Sequence, residues 1–361
     1  MSRTGREAED SATIISPAVA LDALGADQGT APIVAGAQAA AAEGIRMRVF
    51  GRPAELGELR GVEGIELFDA PEEITNDEEP LPAVRSRPNA SVVAAAADVA
   101  EGNSAALVSA GPTGATMAAA TFGIKRLRGV HRPALAVPLP SPARRGRPVL
   151  MLDVGASTEA RAQHLIQFAH LGSAFARVVL GVERPRLALL SVGEESKKGS
   201  PIVVEAHAEL AASGGDFEFT GNVEGRDLLT GDADVVVTDG FTGNVMLKTM
   251  EGTSKALLEA IRAAAMSSPR SKAGGLLLKP ALGGLRDEID PELQGGAVLL
   301  GLRKLAVVPH GSFGARGFQR AIEVAARGVR EDVAGRTHAR LQAAGALRKA
   351  SEAAASVPDD S

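Results

Sequence analysis

Short apolar runs alternate along the chain with longer Ala- and Leu-rich segments. The runs are PAVALD (17–22), RMRVFG (46–51), AALVSA (105–110), PALAVP (133–138), VLMLDV (149–154), RLALLSV (186–192), ADVVVTD (233–239) and LAVVPHG (305–311). Each has the length of a strand, and the segments between many of them are long enough for crossover helices. That pattern predicts an α/β protein with a largely parallel sheet covered on both faces. No internal repeat and no clear linker divides the chain, so residues 17–336 read as one α/β unit. Residues 1–16 carry charges of both signs and no apolar core. They read as a disordered tail, and residues 337–361 as a helix end followed by another.

The segment SKALLEAIRAAAMSS (254–268) repeats apolar residues at Leu257, Leu258, Ile261, Ala264 and Ala265, which is one face of a helix. Behind it, 269–290 carries Leu276, Leu277 and Leu278 between Arg270, Lys272 and Lys279, with Gly274 and Gly275 allowing a mobile tip. Two readings fit this 245–290 region: a core or dimer contact, or a membrane-touching segment with basic flanks.

The strand ends are unusually polar. Asp22 leads into ALGAD, Ser109-Ala110 into GPTGA, Asp153-Val154 into GASTE, Val192 into GEESKKGS, Asp239 into GFTGN, and Pro309 into HGSFGAR. In open α/β sheets ligands bind at the carboxyl ends of strands, where glycine permits close approach and helix N–H groups favour anions. One such loop is an ordinary turn; six at the same kind of corner point to a site. Neither a phosphate-binding P-loop nor a dinucleotide fingerprint occurs.

Individual residues keep two readings at this level. Asn244 either caps a helix starting at Val245 or donates its amide to a substrate oxygen. Lys198 sits in a charged loop that is either solvated surface or an anion contact. His310 is either bonded to backbone or a donor in an anion site. Asp22, Asp27 and Asp153 either fix loops through Asx turns or position cationic groups, and Arg85 is either surface or an anion ligand.

Composition narrows the chemistry. The 361 residues include no Cys, Trp or Tyr, and the net charge is −5. Without cysteine there is no disulfide, no thiolate metal site and no acyl-cysteine intermediate. Few aromatics and a negative balance argue against a nucleic-acid binder. The six histidines form no zinc-spaced pair. No apolar run reaches transmembrane length and no signal peptide is evident, so the expected compartment is the cytoplasm.

Taken in order, LDALGAD, VSAGPTGA, HRPALAVPLPS, LDVGAS, HLIQFAHLGSAFA, GEESKKG, GNVEGRDLL, ADVVVTDGFTGNVMLKTMEG, SSPRSKAGGLLLKPAL and GGAVLLGLRKLAVVPHGS resemble the bacterial phosphate acyltransferases, from about Ala18 to Glu331. The resemblance implies a Rossmann-like three-layer fold, similar to the phosphotransacetylases and the isocitrate/isopropylmalate dehydrogenases. It implies an enzyme that converts a fatty acyl thioester on acyl carrier protein, with inorganic phosphate, into acyl phosphate for glycerophospholipid synthesis. It also implies a homodimer in peripheral contact with the membrane, a glycerol-3-phosphate acyltransferase downstream, and no metal or cofactor.

By the same resemblance Lys198 and Asn244 are the catalytic pair. Arg85, Ser109, Gly111, Thr113, Gly114, Asp153, Gly155, Ala156, Ser157, Gly193, Asp239, Gly240, Thr242, Gly243, His310 and Ser312 line the substrate site, and Leu276, Leu277, Leu278 and Lys279 meet the membrane. The chain departs from the usual pattern at Pro112, where an asparagine is common, at Ser157, and at Phe313-Gly314 after His310-Gly311-Ser312. Competing readings are a phosphotransacylase using acyl-CoA, a dehydrogenase of related fold, and a non-catalytic lipid-responsive scaffold.

Overall fold

In the computed structural model, residues 17–347 are described, apart from 145–146, 214–215 and 232. The expected tails, 1–16 and the end of the chain from 348, lie outside them.

Eleven strands form one sheet among the described residues: β1 (Val19–Asp22), β2 (Met47–Gly51), β3 (Ile65–Asp69), β4 (Ala106–Ser109), β5 (Ala134–Leu139), β6 (Val149–Leu152), β7 (Arg186–Leu190), β8 (Glu218–Val223), β9 (Val235–Val237), β10 (Ala297–Leu300) and β11 (Leu305–Val308). Their order is β3-β2-β1-β4-β11-β10-β5-β6-β9-β7-β8. The helices are α1 (Ala31–Ala42), α2 (Pro80–Ser86), α3 (Ser91–Glu101), α4 (Thr113–Phe122), α5 (Ala162–Val179), α6 (Pro201–Ala212), α7 (Gly240–Met266), α8 (Pro269–Ile289), α9 (Ala315–Arg330) and α10 (Val333–Ala343). One large apolar cluster on each side of the sheet accounts for the near-continuous burial of the central strands.

The sheet is mostly parallel, as expected, but three successive antiparallel pairings at its middle set its two parallel halves in opposite directions. β3, β2, β1, β4 and β11 run parallel to one another, while β6, β9, β7 and β8 run parallel among themselves. Between the two groups β10 is antiparallel to both β11 and β5, and β5 is antiparallel to β6. The six glycine-rich strand ends therefore do not share one edge. The loops after β1, β4 and β11 open at one edge of the sheet, and those after β6, β7 and β9 at the opposite edge.

α7 and α8 are consecutive helices joined at Ser267-Ser268, where the Ser268 hydroxyl accepts from Ser271 N at 3.0 Å. Gly274 and Gly275 lie within α8 rather than in a mobile tip. A Cβ at Gly275 would stand 3.1 Å from Ala265 Cβ, so the small residues serve close packing of the two helices. Outward, Leu257, Leu258, Ile261, Met266, Leu276, Leu277 and Leu278 are exposed. No helix among the described residues is long and apolar enough to cross a membrane.

Candidate active site

At the β6-β9-β7 edge three neighbouring strands release their loops side by side. Asp153 follows β6 and is fully buried. Its Oδ1 accepts from Leu135 N (3.0 Å), Gly155 N (3.2 Å) and Ala156 N (2.9 Å), which folds the GAS loop around it. Burial pushes its carboxyl above the usual range, against the pull of those backbone N–H groups. Asp153 Oδ2 and the Ser157 hydroxyl are buried without a hydrogen-bond partner among the described residues.

The loop after β9 turns at once into α7. Asp239 is its cap: Oδ1 accepts from Thr242 N at 2.9 Å and Oδ2 from Thr242 Oγ1 at 2.7 Å. Gly240 N donates to Ser157 O, and Gly243 N to Asp239 O. Gly243 seats this first turn on the β6 loop, where an added Cβ would lie 1.9 Å from Asp153 O. Helix α7 thus starts five residues before the expected Val245, and Asp239, not Asn244, caps it. Most of the N–H groups at its start are already committed, so the helix end is a poor anion cradle. Asn244 instead presents its amide to solvent beside Gly155, where a Cβ would stand 3.9 Å from Asn244 Cγ.

In the loop after β7, the Lys198 carbonyl accepts from Ser191 Oγ (3.0 Å), and Asn222 Nδ2 donates to Glu195 O (2.9 Å). The Lys198 side chain runs over buried Gly193, leaving a Cβ there only 3.0 Å from Lys198 Cγ. Both the Lys198 ammonium and the Asn244 amide are exposed and have no partner among the described residues. Two unspent donors sit at adjacent strand ends, positioned by backbone that is fully engaged.

The opposite edge holds a second polar group. Asp22 is buried; its Oδ1 accepts from Leu24 N (3.2 Å) and its Oδ2 from Ser109 Oγ (2.7 Å). Ser109 Oγ also lies 2.7 Å from Thr116 Oγ1 and accepts from Gly111 N at 3.2 Å. Burial raises the Asp22 carboxyl to about 6, with Ser91, Ser109 and Leu24 N opposing. Pro112 precedes α4 with no side-chain cap, and Thr113 and Gly114 form the first turn. In the neighbouring loop His310 Nδ1 is 2.8 Å from Ser312 Oγ, and Phe313 is buried beneath with its ring 6.2 Å from the imidazole.

One residue that the sequence reading did not single out joins the two edges. Lys248, two turns into α7, has its Nζ 3.1 Å from His310 Nε2 and 2.9 Å from Glu251 Oε2. Eight residues of helix rise about 12 Å, roughly the length of a four-residue strand, so α7 carries Lys248 back across the sheet. Spacing alone gives no signal for this, because it depends on where α7 begins and on the reversal of the sheet. Arg85 goes elsewhere: its guanidinium stacks over Phe122, at the last turn of α4, while Pro80 at the start of α2 abuts Gly114. The structure does not bring Arg85 to the glycine loop at 111–114.

The same architecture recurs in solved acyl-transfer enzymes. EutD phosphotransacetylase from Staphylococcus aureus superposes with a TM-score of 0.54 at 17% identity, covering 87% of this chain and 95% of the other. A branched-chain phosphotransacylase from Enterococcus faecalis V583 gives 0.54 at 17%, over 86% and 99%. These establish the fold. Sequence comparison goes further: the model of the fatty acid synthesis protein family matches residues 18–336. Phosphate acyltransferase from Heliobacterium modesticaldum is 42% identical over 321 residues, 87% of this chain and 94% of the relative. That from Thermobifida fusca is 43% identical over 312 residues, 84% and 86% respectively. The chain is an acyltransferase on a mostly parallel α/β sheet. It belongs to the phosphate acyltransferase family.

Proposed function

We propose that this acyltransferase takes its fatty acyl group from acyl carrier protein and delivers it to inorganic phosphate. The observation that carries the reading is the pair of uncommitted donors, Lys198 and Asn244, beside the Gly155–Ser157 turn at three adjacent strand ends. A phosphate oxygen attacks the thioester carbon and forms the new C–O bond. The C–S bond then breaks, and sulfur leaves as the thiolate of the carrier's prosthetic arm, to be protonated by solvent. Phosphate is already anionic at neutral pH, so placement and charge stabilisation are the difficult parts. The Lys198 ammonium meets the phosphate, and the Asn244 amide donates to the carbonyl oxygen as it gains charge. Asp153 holds the turn on which that oxygen rests.

Ser109, Gly111, Thr113 and Gly114, with His310 and Ser312, lie at the far edge and fit the more distant parts of the acyl donor, Lys248 linking them to the catalytic loops. The exposed apolar face at Leu257, Leu258 and Ile261 supports a two-fold dimer, and Leu276–Leu278 with Lys279 support contact with a bilayer. The product then passes to a glycerol-3-phosphate acyltransferase at that surface. The deciding experiment is phosphate-dependent release of free thiol from a long-chain acyl carrier protein. Turnover of acyl-CoA with none of acyl carrier protein would replace this donor with the acyl-CoA reading.

A further inference from the structure

The charge of this acidic chain is unevenly spread. From Gly102 to Leu152 there is no Asp or Glu, nor from Leu293 to Ile322. The fold brings the basic residues of these two stretches together. Leu127 N donates to Gly301 O at 2.8 Å and Arg303 N to Lys125 O at 3.0 Å. The segment before β5, with Lys125, Arg126, Arg128 and Arg132, is thereby laced to the β10–β11 turn, with Arg303 and Lys304. Arg161, at the start of α5, adjoins them, since it and Arg132 both act on His164. All seven side chains are exposed. Among the described residues none is ion-paired to a carboxylate, and Glu159 is the acid nearest to Arg161 in sequence.

The positive field registers on His164. Burial first, then Arg132, His131 and Arg161, lower its imidazole to about 4, so it stays neutral among them. Position decides what the patch is for. β5 and β11 start, and β6 and β10 end, at the edge of the sheet where the loops of Lys198 and Asn244 open. The basic surface is therefore continuous with the catalytic edge and four residues along the chain from Ser157. The other basic cluster of the first stretch is different, because Arg144 is bound to Asp234 at the opposite edge.

We infer that the surface formed by residues 125–132, Arg161 and the 303–304 turn docks an acidic protein domain that presents the acyl thioester to the Lys198–Asn244 edge. This rests on the acyl carrier reading above and locates where that carrier binds. Complementary charge gives such a pair fast, salt-sensitive association and fixed orientation, while the thioester arm reaches the chemistry.

The test is the triple variant Arg128→Glu, Arg132→Glu, Arg303→Glu, which spares Arg126 because its guanidinium bonds to His131 O. With acyl carrier protein as donor, KM rises by about tenfold or more and kcat stays within about twofold. With a short acyl thioester of pantetheine, both constants match the wild type. Raising salt weakens the wild type towards the variant and leaves the variant nearly flat. Failure of the wild type on any acyl carrier substrate sinks the donor reading, whatever the variant does. An unchanged KM for the carrier, or an equal loss with the pantetheine thioester, overturns the docking surface while the donor reading stands. So does a variant that loses binding to anionic vesicles but keeps its KM for the carrier, which makes the patch a lipid contact.

Discussion

Lys248 Nζ on α7 stands 3.1 Å from His310 Nε2 in the loop after β11, joining two strand-end loop groups that the reversal of the sheet sets at opposite edges. On the other side of the imidazole, Nδ1 lies 2.8 Å from Ser312 Oγ and 3.2 Å from Ser312 N, so the ring's single proton is shared out between the Lys248 and Ser312 contacts. The arrangement connects a cation, an imidazole and a hydroxyl through the two ring nitrogens. Lys248→Met is expected to raise the KM for the acyl donor by about tenfold, the loss of one charge-assisted contact. Folding stability changes little, since the Lys248 side chain is 53% exposed. Initial rates across an acyl-donor series decide this, and an unchanged KM would remove Lys248 from the site.

The proposed catalytic pair, Lys198 and Asn244, makes a separate prediction. Lys198→Ala and Asn244→Ala are each expected to lose about 10²–10³ in turnover, the cost of one donor to a developing oxyanion. Both side chains are exposed and make no hydrogen bond among the described residues, so circular dichroism and thermal melting should match the wild type. Either variant retaining more than about half the wild-type rate loses its assigned role.

How much of this was legible in the sequence follows from where each residue sits. All eight strand candidates are strands, because central strands buried on both faces are near-continuous apolar runs. The three that escaped have physical reasons. β3 (IELFD) and β8 (EFTGNV) are the two edge strands, half exposed and interrupted by polar residues. β10 lies in GGAVLLGL, an apolar run that periodicity cannot tell from a helix. The site residues were legible as motif, and their sorting onto two edges was not. That sorting depends on the antiparallel placement of β10 and the β5–β6 hairpin, which local sequence does not encode.

Asp22 predicts a pH dependence of stability. Burial pushes its carboxyl up to about 6 in the folded state, above the ordinary value of 3.8. Between those values the folded state binds more protons than the unfolded one, so stability falls as pH rises from 4 to 6. The size is about 3 kcal/mol at most for a shift of this extent. Asp22→Asn keeps an acceptor for Leu24 N, and the Ser109 hydroxyl can turn to accept from the new amide. The difference in urea stability between variant and wild type should therefore move in favour of the variant as pH rises through that window. A difference that does not change with pH would place the Asp22 titration elsewhere.

Two glycines of α7 should respond with opposite sign to the same substitution. Gly252 has open space where its Cβ would be, so Gly252→Ala is expected to stabilise by about 0.5–1 kcal/mol. Gly243→Ala would drive a methyl against Asp153 O and is expected to cost about 1–3 kcal/mol or more. Because Asn244 follows directly, turnover should fall with it, whereas Gly252→Ala should leave turnover unchanged. Denaturation and rate measurements on the pair check both signs.

The exposed face of α8 carries the last prediction. Leu276, Leu277 and Leu278 are 71%, 83% and 57% exposed, and successive residues of a helix point about 100° apart. Three consecutive leucines therefore cover a broad apolar sector rather than a narrow seam, which suits immersion in an acyl boundary better than packing against one partner helix. Arg270, Lys272 and Lys279 flank it and would meet anionic head groups, each contributing about 1 kcal/mol near such a surface. Full burial of one leucine adds about 1.5–3 kcal/mol. These terms support reversible attachment, doubled in a dimer, and fall short of insertion. Replacing the three leucines with serine should abolish sedimentation with anionic liposomes while activity on a soluble acyl carrier substrate persists, because Lys198 and Asn244 lie at the sheet edge. If the triple variant still sediments and instead becomes monomeric in light scattering, the α8 leucines are the dimer seam and the bilayer contact lies elsewhere.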